Sequence, residues 1–266
     1  MNLLQTSVLN GVAVLIKTIT LFVLNKILAV YLGPTGYAAL GQFQNFIQMV
    51  TTFAGSAINT AVIKYTAEYH EDESKQRAIW KTAGSIVFVF SLMFAFLILI
   101  FQRQLSLYIF HTLEYQTVFV WFAVFLLFFN FNTLFLAILN GKKEILKLVL
   151  ANIAGSLFAL IVTSILAIKL HLYGALIALS IYQSIAFIVT LFLCYRADWF
   201  KFSSLFGKID LEITKKLSSF IWMALVSAIC VPLSPMLIRA YLRQEFGLAY
   251  AGSWEAMLRL STVYLM

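Results

Sequence analysis

The chain has 266 residues, of which 62% are hydrophobic and only 11% charged, with a mean hydropathy of +0.92. That balance excludes a soluble globular domain and defines an all-α, polytopic membrane protein. A net charge of +8 would suggest nucleic acid in a soluble protein, but here its distribution between loops carries the information.

Apolar runs of spanning length cover residues 7–32, 37–65, 82–101, 117–139, 145–168, 173–195 and 217–238, and an eighth begins near Gly252. A spanning helix needs about 20 residues, so the eighth reads as unfinished and the chain as part of a longer protein. About eight transmembrane helices are expected. Residues 1–198 are read as a six-helix bundle, 199–216 as a linker, and 217–266 as the start of a second bundle. The first residues lack a basic stretch, and the run behind them is too long for a cleavable signal.

With the N-terminus in the cytoplasm, inner loops carry eleven Lys and Arg (Lys75, Arg77, Lys81, Lys142, Lys143, Lys147, Arg196, Lys201, Lys208, Lys215, Lys216). Outer loops carry three (Arg103, Lys169, Arg243). The positive-inside rule therefore places the N-terminus inside. The segment 196–216 alternates cations with Trp199, Phe200, Phe202, Leu205, Phe206, Ile209, Leu211 and Ile213. It is expected to lie along the cytoplasmic surface and join the bundles.

The first hairpin, 7–68, turns at Gly33-Pro34-Thr35-Gly36 and carries the polar groups most in need of explanation. A lysine at the bilayer centre costs about 2.5–3.5 kcal/mol, so intramembrane cations are functional candidates. Lys17 sits mid-run and reaches neither surface, which favours a cavity. Lys26 lies about 13 Å further along the helix and half a turn round, where it either anchors at the outer interface or faces the cavity. On the second helix Asn45, Gln48, Thr52, Ser56 and Asn59 follow helical spacing, and five polar residues on one face read as a water-lined wall. Weaker stripes, Asn130–Thr133–Asn140 and Asn152–Ser156–Thr163, read as hydrogen-bonding glue between helices.

Arg259, four residues after Glu255, is either half of an intrahelical ion pair or a second cavity cation facing Lys17. Arg239 follows Pro232 and Pro235, whose bend suits a cavity-lining helix. Lys64 either snorkels inward or meets an anionic headgroup. A faint internal echo sets Lys26 and Tyr37 against Arg239 and Tyr250, and Gly41 and Phe43 against Gly252 and Trp254, as repeated transporter halves do. Cys194 and Cys230 lie in apolar surroundings and form no metal motif. His70, His111 and His171 have no companion at ligand spacing. No carboxylate pair, phosphate loop or activated nucleophile is visible, so neither enzymatic work nor a cofactor is expected.

The run from Lys26 through Gly33-Pro34-Thr35-Gly36-Tyr37, the close of the hairpin at Lys64-Tyr65 and Ala67-Glu68-Tyr69-His70, Leu139-Asn140-Gly141-Lys142, Leu217 with Phe220 and Met223-Ala224-Leu225, and Trp254 with Arg259, Ser261 and Tyr264-Leu265 together resemble the Wzx-type flippases of O-antigen and enterobacterial common antigen synthesis. These belong to the MATE-like (multidrug/oligosaccharidyl-lipid/polysaccharide) exporter superfamily. The resemblance implies two helical bundles around a central cationic cavity in the bacterial inner membrane. It implies as substrate an oligosaccharide on undecaprenyl pyrophosphate, moved from the cytoplasmic to the periplasmic leaflet beside membrane lipid. A polysaccharide polymerase and a chain-length regulator are the partners it suggests; nucleic acid is not among them. The cavity role falls on Lys17 and Arg259 first, then Lys26, Arg239 and Lys64.

Three other readings compete. A drug exporter of the same superfamily would carry buried carboxylates for organic cations. A membrane polymerase or acyltransferase would show a large outer loop or an embedded histidine. An inert helical scaffold leaves Lys17 unexplained.

Overall fold

The computed structural model of the chain describes residues 3–201, 205–207 and 210–264. Among them are seven α-helices: α1 (Leu3–Ala54), α2 (Asn59–Glu68), α3 (Glu73–Phe110), α4 (Gln116–Gly141), α5 (Ile145–Tyr195), α6 (Leu211–Phe246) and α7 (Leu248–Tyr264), with a 3₁₀ turn (Ser56–Ile58) between α1 and α2. Five of them are long and apolar enough to cross a membrane. Phe202, Lys208, Ile209 and Leu265, singled out in the sequence, lie outside the described residues.

Two of these helices are hairpins. A straight helix of the 51 residues in α5 would measure about 77 Å, more than twice the ~30 Å of hydrocarbon in a bilayer. The chain instead leaves helical geometry at Gly33 (φ 64°) in α1 and at His171 (φ 49°) in α5. The Tyr37 hydroxyl donates to the Asn25 carbonyl at 2.6 Å, a separation of 12 residues that would be about 18 Å along a straight helix. Gly174 likewise lies so close to the Leu166 carbonyl that a Cβ would collide with it. Left-handed backbone favours glycine, with histidine among the residues that tolerate it best. His111 (φ 59°), at the end of α3, follows the same rule. Each hairpin supplies two crossings, so the eight expected helical segments are present.

Alternating up and down, the segments stack two apolar clusters along one axis. At the end carrying the turns at Gly33, His111 and His171, Phe43 meets Phe119 edge-on at 5.6 Å and Phe122 at 6.2 Å, amid Leu28, Leu40, Leu126 and Leu176. At the other end Trp80, Phe131, Phe135 and Leu139 pack with Val62, Leu205 and Leu217. The hydrophobics turned outward on α1, α3 and α6, such as Ile19, Phe96 and Val231, suit contact with lipid rather than water.

The second run is not one continuous helix, as the sequence suggested. Gly55 (φ 157°) breaks it, and a bilayer supplies no water to the carbonyls a break frees. The Ala54 carbonyl instead accepts from Ser91 Oγ at 3.1 Å, and Ser91 Oγ is held by Asn130 Nδ2 at 2.9 Å. Asn130 is therefore glue. The segment after α5 packs against α3 where it is described. Leu205 is buried against Gly84, where no Cβ would fit. Ser85 Oγ donates to the Gly207 carbonyl at 3.1 Å, and the Asp210 N–H reaches Thr82 Oγ1 at 3.4 Å. The linker is strapped to α3 before α6 begins. Beneath it Lys142 sits 5.8 and 5.7 Å from the Trp80 and Trp199 rings and donates to Gln76 Oε1 at 3.0 Å.

Asp72 caps α3, accepting from the Ser74 hydroxyl (2.6 Å) and from the Ser74 and Lys75 N–H groups (both 3.1 Å). The Ser74 bond first, then the Lys75 backbone bond, lower its carboxyl to about 2 from an ordinary 3.8. A lowered pKa favours the cap above the ordinary value and loses that contribution as pH falls through the lowered one. Amide protection at residues 73–76, corrected for intrinsic exchange, should hold down to about pH 4 and fall between there and about 2. Asp72→Asn, an equally good cap, should remove that pH dependence.

Candidate functional site: a cationic cavity between the hairpins

A cavity of about 500 Å³ lies between the first limb of α1, before Gly33, and the two limbs of α5. On α1 its lining extends from Asn10 to Leu28, about 27 Å of helix and so close to the full depth of hydrocarbon. Lys17, Thr20 and Asn25 face it from this limb; Gln44 faces it from the second limb, and Asn132 from α4. Asn152, Ser156 and Thr163 line it from the first limb of α5, Tyr182 and Gln183 from the second, and Arg259 closes it from α7. The wall is amide-rich; among the described residues its two charges are both positive, and no carboxylate lines it. Asn132 Nδ2 donates to Gln183 Oε1 at 2.7 Å, tying α4 to α5 at the cavity wall.

Arg259 belongs to a second feature, a buried charge cluster. Glu255 is 5% exposed and Arg239 3%. Glu255 Oε1 accepts from Arg259 Nε at 3.1 Å, and Glu255 Oε2 lies 3.0 Å from an Arg239 guanidinium nitrogen. That second pair is an ion pair by distance but off line for a hydrogen bond, since Oε2 and Arg239 Nε both lack hydrogen-bond partners among the described residues. Both arginines reach across to α1: Arg239 donates to Gln42 Oε1 at 2.9 Å and Arg259 to Gln44 Oε1 at 2.6 Å. The Arg259 guanidinium also lies 5.5 Å from the Tyr37 ring centroid. Glycines make this proximity possible: a Cβ at Gly41 would strike the Glu255 carboxyl, and one at Gly252 the Pro34 carbonyl.

The residues singled out in the sequence are thus sorted. Lys17 and Arg259 share the cavity, and Arg259 makes the intrahelical pair with Glu255 as well. Arg239 is buried in the cluster and is not among the cavity-lining residues. Lys26 and Lys64 are exposed and lie outside the lining; the Lys64 ammonium rests 5.2 Å from the Tyr65 and Phe220 rings. The stripe Asn45, Gln48, Thr52, Ser56 and Asn59 does not line this cavity. The break at Gly55 separates Ser56 and Asn59, on the 3₁₀ turn and α2, from Asn45, Gln48 and Thr52, which stay together on α1. Thr52 turns its hydroxyl back to the Gln48 carbonyl at 2.7 Å. The stripe on α5, read as glue, instead faces the cavity. Gln44, Asn132, Tyr182 and Gln183 are not legible in the sequence, because isolated polar residues among apolar ones carry no periodic signal. Glu255 was visible only as a partner of Arg259.

The chain is a bundle of apolar helical hairpins enclosing a polar cavity, and solved structures share the fold. Over 92% of this chain and 58% of the other, an inward-facing multidrug-resistance MATE family transporter of the MOP superfamily superposes with a TM-score of 0.72 at 14% identity. A MOP superfamily transporter from Pyrococcus furiosus, described by a reversed polarity of its binding pocket, gives 0.65 at 15% identity over 94% and 60%. The polysaccharide biosynthesis protein family model matches residues 3–266, and the chain belongs to that family. Lipid III flippases of Escherichia coli strain K12 and Shigella flexneri are each 25% identical to it over all 266 residues. The chain spans 64% of the length of those relatives.

Because Gly252 abuts the Pro34 carbonyl, Gly252→Val should displace α7 and destabilise the protein by about 1–3 kcal/mol, read as a lowered thermal midpoint in detergent. Gly11, with nothing near its Cβ position, is the contrast. Gly11→Ala should leave stability unchanged or raise it by up to about 1 kcal/mol.

Proposed function

We propose that the protein of which this chain forms at least part is a flippase. It carries undecaprenyl-pyrophosphate-linked oligosaccharides from the cytoplasmic to the periplasmic leaflet of a bacterial inner membrane, for O-antigen or a related surface polysaccharide. The observation that carries this reading is that Lys17 and Arg259, from opposite ends of the chain, line one cavity. A diphosphate head group is anionic and strongly hydrated, while its polyprenyl tail is apolar. Moving the head needs a wet, positive path, and arginine and lysine are the side chains that recognise phosphate. The amides of Asn132, Asn152 and Gln183 offer both donors and acceptors, which suits sugar hydroxyls. The Lipid III flippase name of the curated relatives is consistent with the same substrate class. A multidrug exporter fits the fold equally well, but a cavity whose charges are both positive repels organic cations.

In this reading residues 1–198 form the first bundle, 199–216 the linker and 217–266 the start of the second. The lysine-rich loops put the N-terminus in the cytoplasm. Lys26 and Lys64 serve as interfacial anchors rather than ligands, and the protein transports without chemical conversion of its substrate.

The test is complementation of a strain lacking its own flippase, scored by surface polysaccharide, in the complete protein. Lys17→Ala and Arg259→Gln should each reduce export at least tenfold at unchanged membrane abundance; each removes one charge-assisted contact, worth about 1.5–3 kcal/mol. Lys26→Ala should stay within about twofold of wild type, as an exposed substitution worth less than about 0.5 kcal/mol should. Unchanged export in Lys17→Ala would sink the cavity's role.

A further inference from the structure

The flippase reading leaves Glu255 unexplained: it is a buried carboxylate placed between two arginines, one of which lines the cavity. On that reading, we propose that Glu255 is the resident counter-anion of Arg259. An anionic diphosphate entering the cavity competes with it, and head-group binding thereby unlatches α6 and α7 from the first hairpin.

The geometry divides the contacts into two kinds. The ion pairs lie within the α6–α7 pair, since Arg239, Glu255 and Arg259 all belong to it, with one positive charge in excess. What crosses to α1 is neutral: two glutamine carbonyls, Gln42 and Gln44, accept from the arginines, while Gly41 and Gly252 allow close approach. Hydrogen bonds from a guanidinium to a neutral acceptor exchange for water when two surfaces part, whereas separating Glu255 from both arginines would strand a buried charge. Glu255 can therefore travel with α6 and α7 as long as one arginine stays with it.

Arg259 is the point where ligand and latch meet. Its side chain lines the cavity and at the same time makes the 2.6 Å bond to Gln44 and the 3.1 Å bond to Glu255. A diphosphate engaging the guanidinium offers more charge than one carboxylate, and drawing the side chain inward breaks the Gln44 bond. Glu255 keeps a partner throughout, because Arg239 stays 3.0 Å from Oε2. That contact lacks hydrogen-bond alignment, and both Oε2 and Arg239 Nε are unpartnered among the described residues, so the carboxylate has unused capacity toward Arg239 once Arg259 leaves. Ligand binding thus has a differential contact between two states, as any population shift requires.

The experiment uses the complete protein in nanodiscs, inorganic pyrophosphate as the probe, and a reporter cysteine. Ala251→Cys, in a background lacking Cys194 and Cys230, puts a thiol at a position that is fully buried on α7. Pyrophosphate should raise its maleimide labelling rate severalfold. Glu255→Gln, which keeps the shape and removes the competitor, should tighten pyrophosphate binding about tenfold and make labelling fast without ligand, a change of about 1.4 kcal/mol. If Glu255→Gln fails to accumulate, Gln42→Ala serves: Gln42 is not among the cavity-lining residues, and loss of its crossing bond to Arg239 should raise basal labelling. Binding that Lys17→Ala abolishes but Glu255→Gln leaves unchanged, with labelling indifferent to pyrophosphate, overturns the latch and leaves the flippase reading standing. A wild-type protein that does not bind pyrophosphate at all overturns both.

Discussion

Hydrocarbon forms no hydrogen bonds, and from that constraint follow the places where this chain can depart from a straight helix. Two departures show how protein covers them. The carbonyl freed at Gly55 is met by Ser91, itself held by Asn130; the turn at Gly33 is spanned by the Tyr37 hydroxyl bonding to Asn25. The bends are possible at these positions because glycine or histidine occupies them, and tolerable because a neighbouring helix brings a hydroxyl or an amide. Polar side chains inside the bundle thus do two jobs that composition alone does not separate. Some repair backbone; the rest face water.

The same constraint organises the charges. A lone intramembrane cation costs several kcal/mol wherever it faces lipid, so the bundle offers its cations three settings. Lys64 lies against aromatic rings, and Lys142 against rings and a glutamine. Arg239 is neutralised by Glu255 in a dry interface. Lys17 faces a cavity walled by amides. Arg259 stands between the second and third settings, touching Glu255 and the cavity together, and this double membership makes it the natural point of exchange between a ligand and the packing of α7.

Much of the fold was legible because its signals are long. Twenty-residue apolar runs, a glycine–proline turn and lysine-rich loops locate eight helical segments with little ambiguity. The argument that mid-membrane charge must face something wet pointed Lys17 to a cavity, while Arg259 stood between an ion pair with Glu255 and a cavity role that the resemblance implied. The polar stripes were harder. Asn45 to Asn59 keep helical spacing in the sequence, but spacing has meaning only along an unbroken helix: a single glycine at position 55 detaches Ser56 and Asn59, and the face that Asn45, Gln48 and Thr52 keep is not the one turned to the cavity. Asn152, Ser156 and Thr163 have the same spacing on a limb that stays helical, and these do share the cavity. What decides between glue and wall is the neighbour opposite each residue; the sequence locates the break between the 145–168 and 173–195 runs, but not which side chains the fold-back at His171 sets face to face. The packing of Leu205 and Gly207 against α3 escaped for a related reason. Apolar residues in this segment suit a membrane surface as well as a protein groove, and the groove exists only because Gly84 on α3 leaves room for Leu205.

Glu255 shows how far pairwise reading reaches. Four residues before Arg259, it completes an ordinary intrahelical pair, and in isolation such a pair contributes about 0.3–0.5 kcal/mol. Burial changes its meaning. Arg239, sixteen residues earlier and on another helix, arrives at the same carboxylate only because α6 and α7 fold back on each other and Gly41 leaves space for the carboxyl against α1. One anion then serves two cations in a dry site, a stoichiometry that leaves one positive charge in excess beside a cavity fit for an anion. That excess is the electrostatic reason a diphosphate head group would find this end of the bundle favourable, and it arises from three residues and two glycines rather than from the overall basicity of the chain.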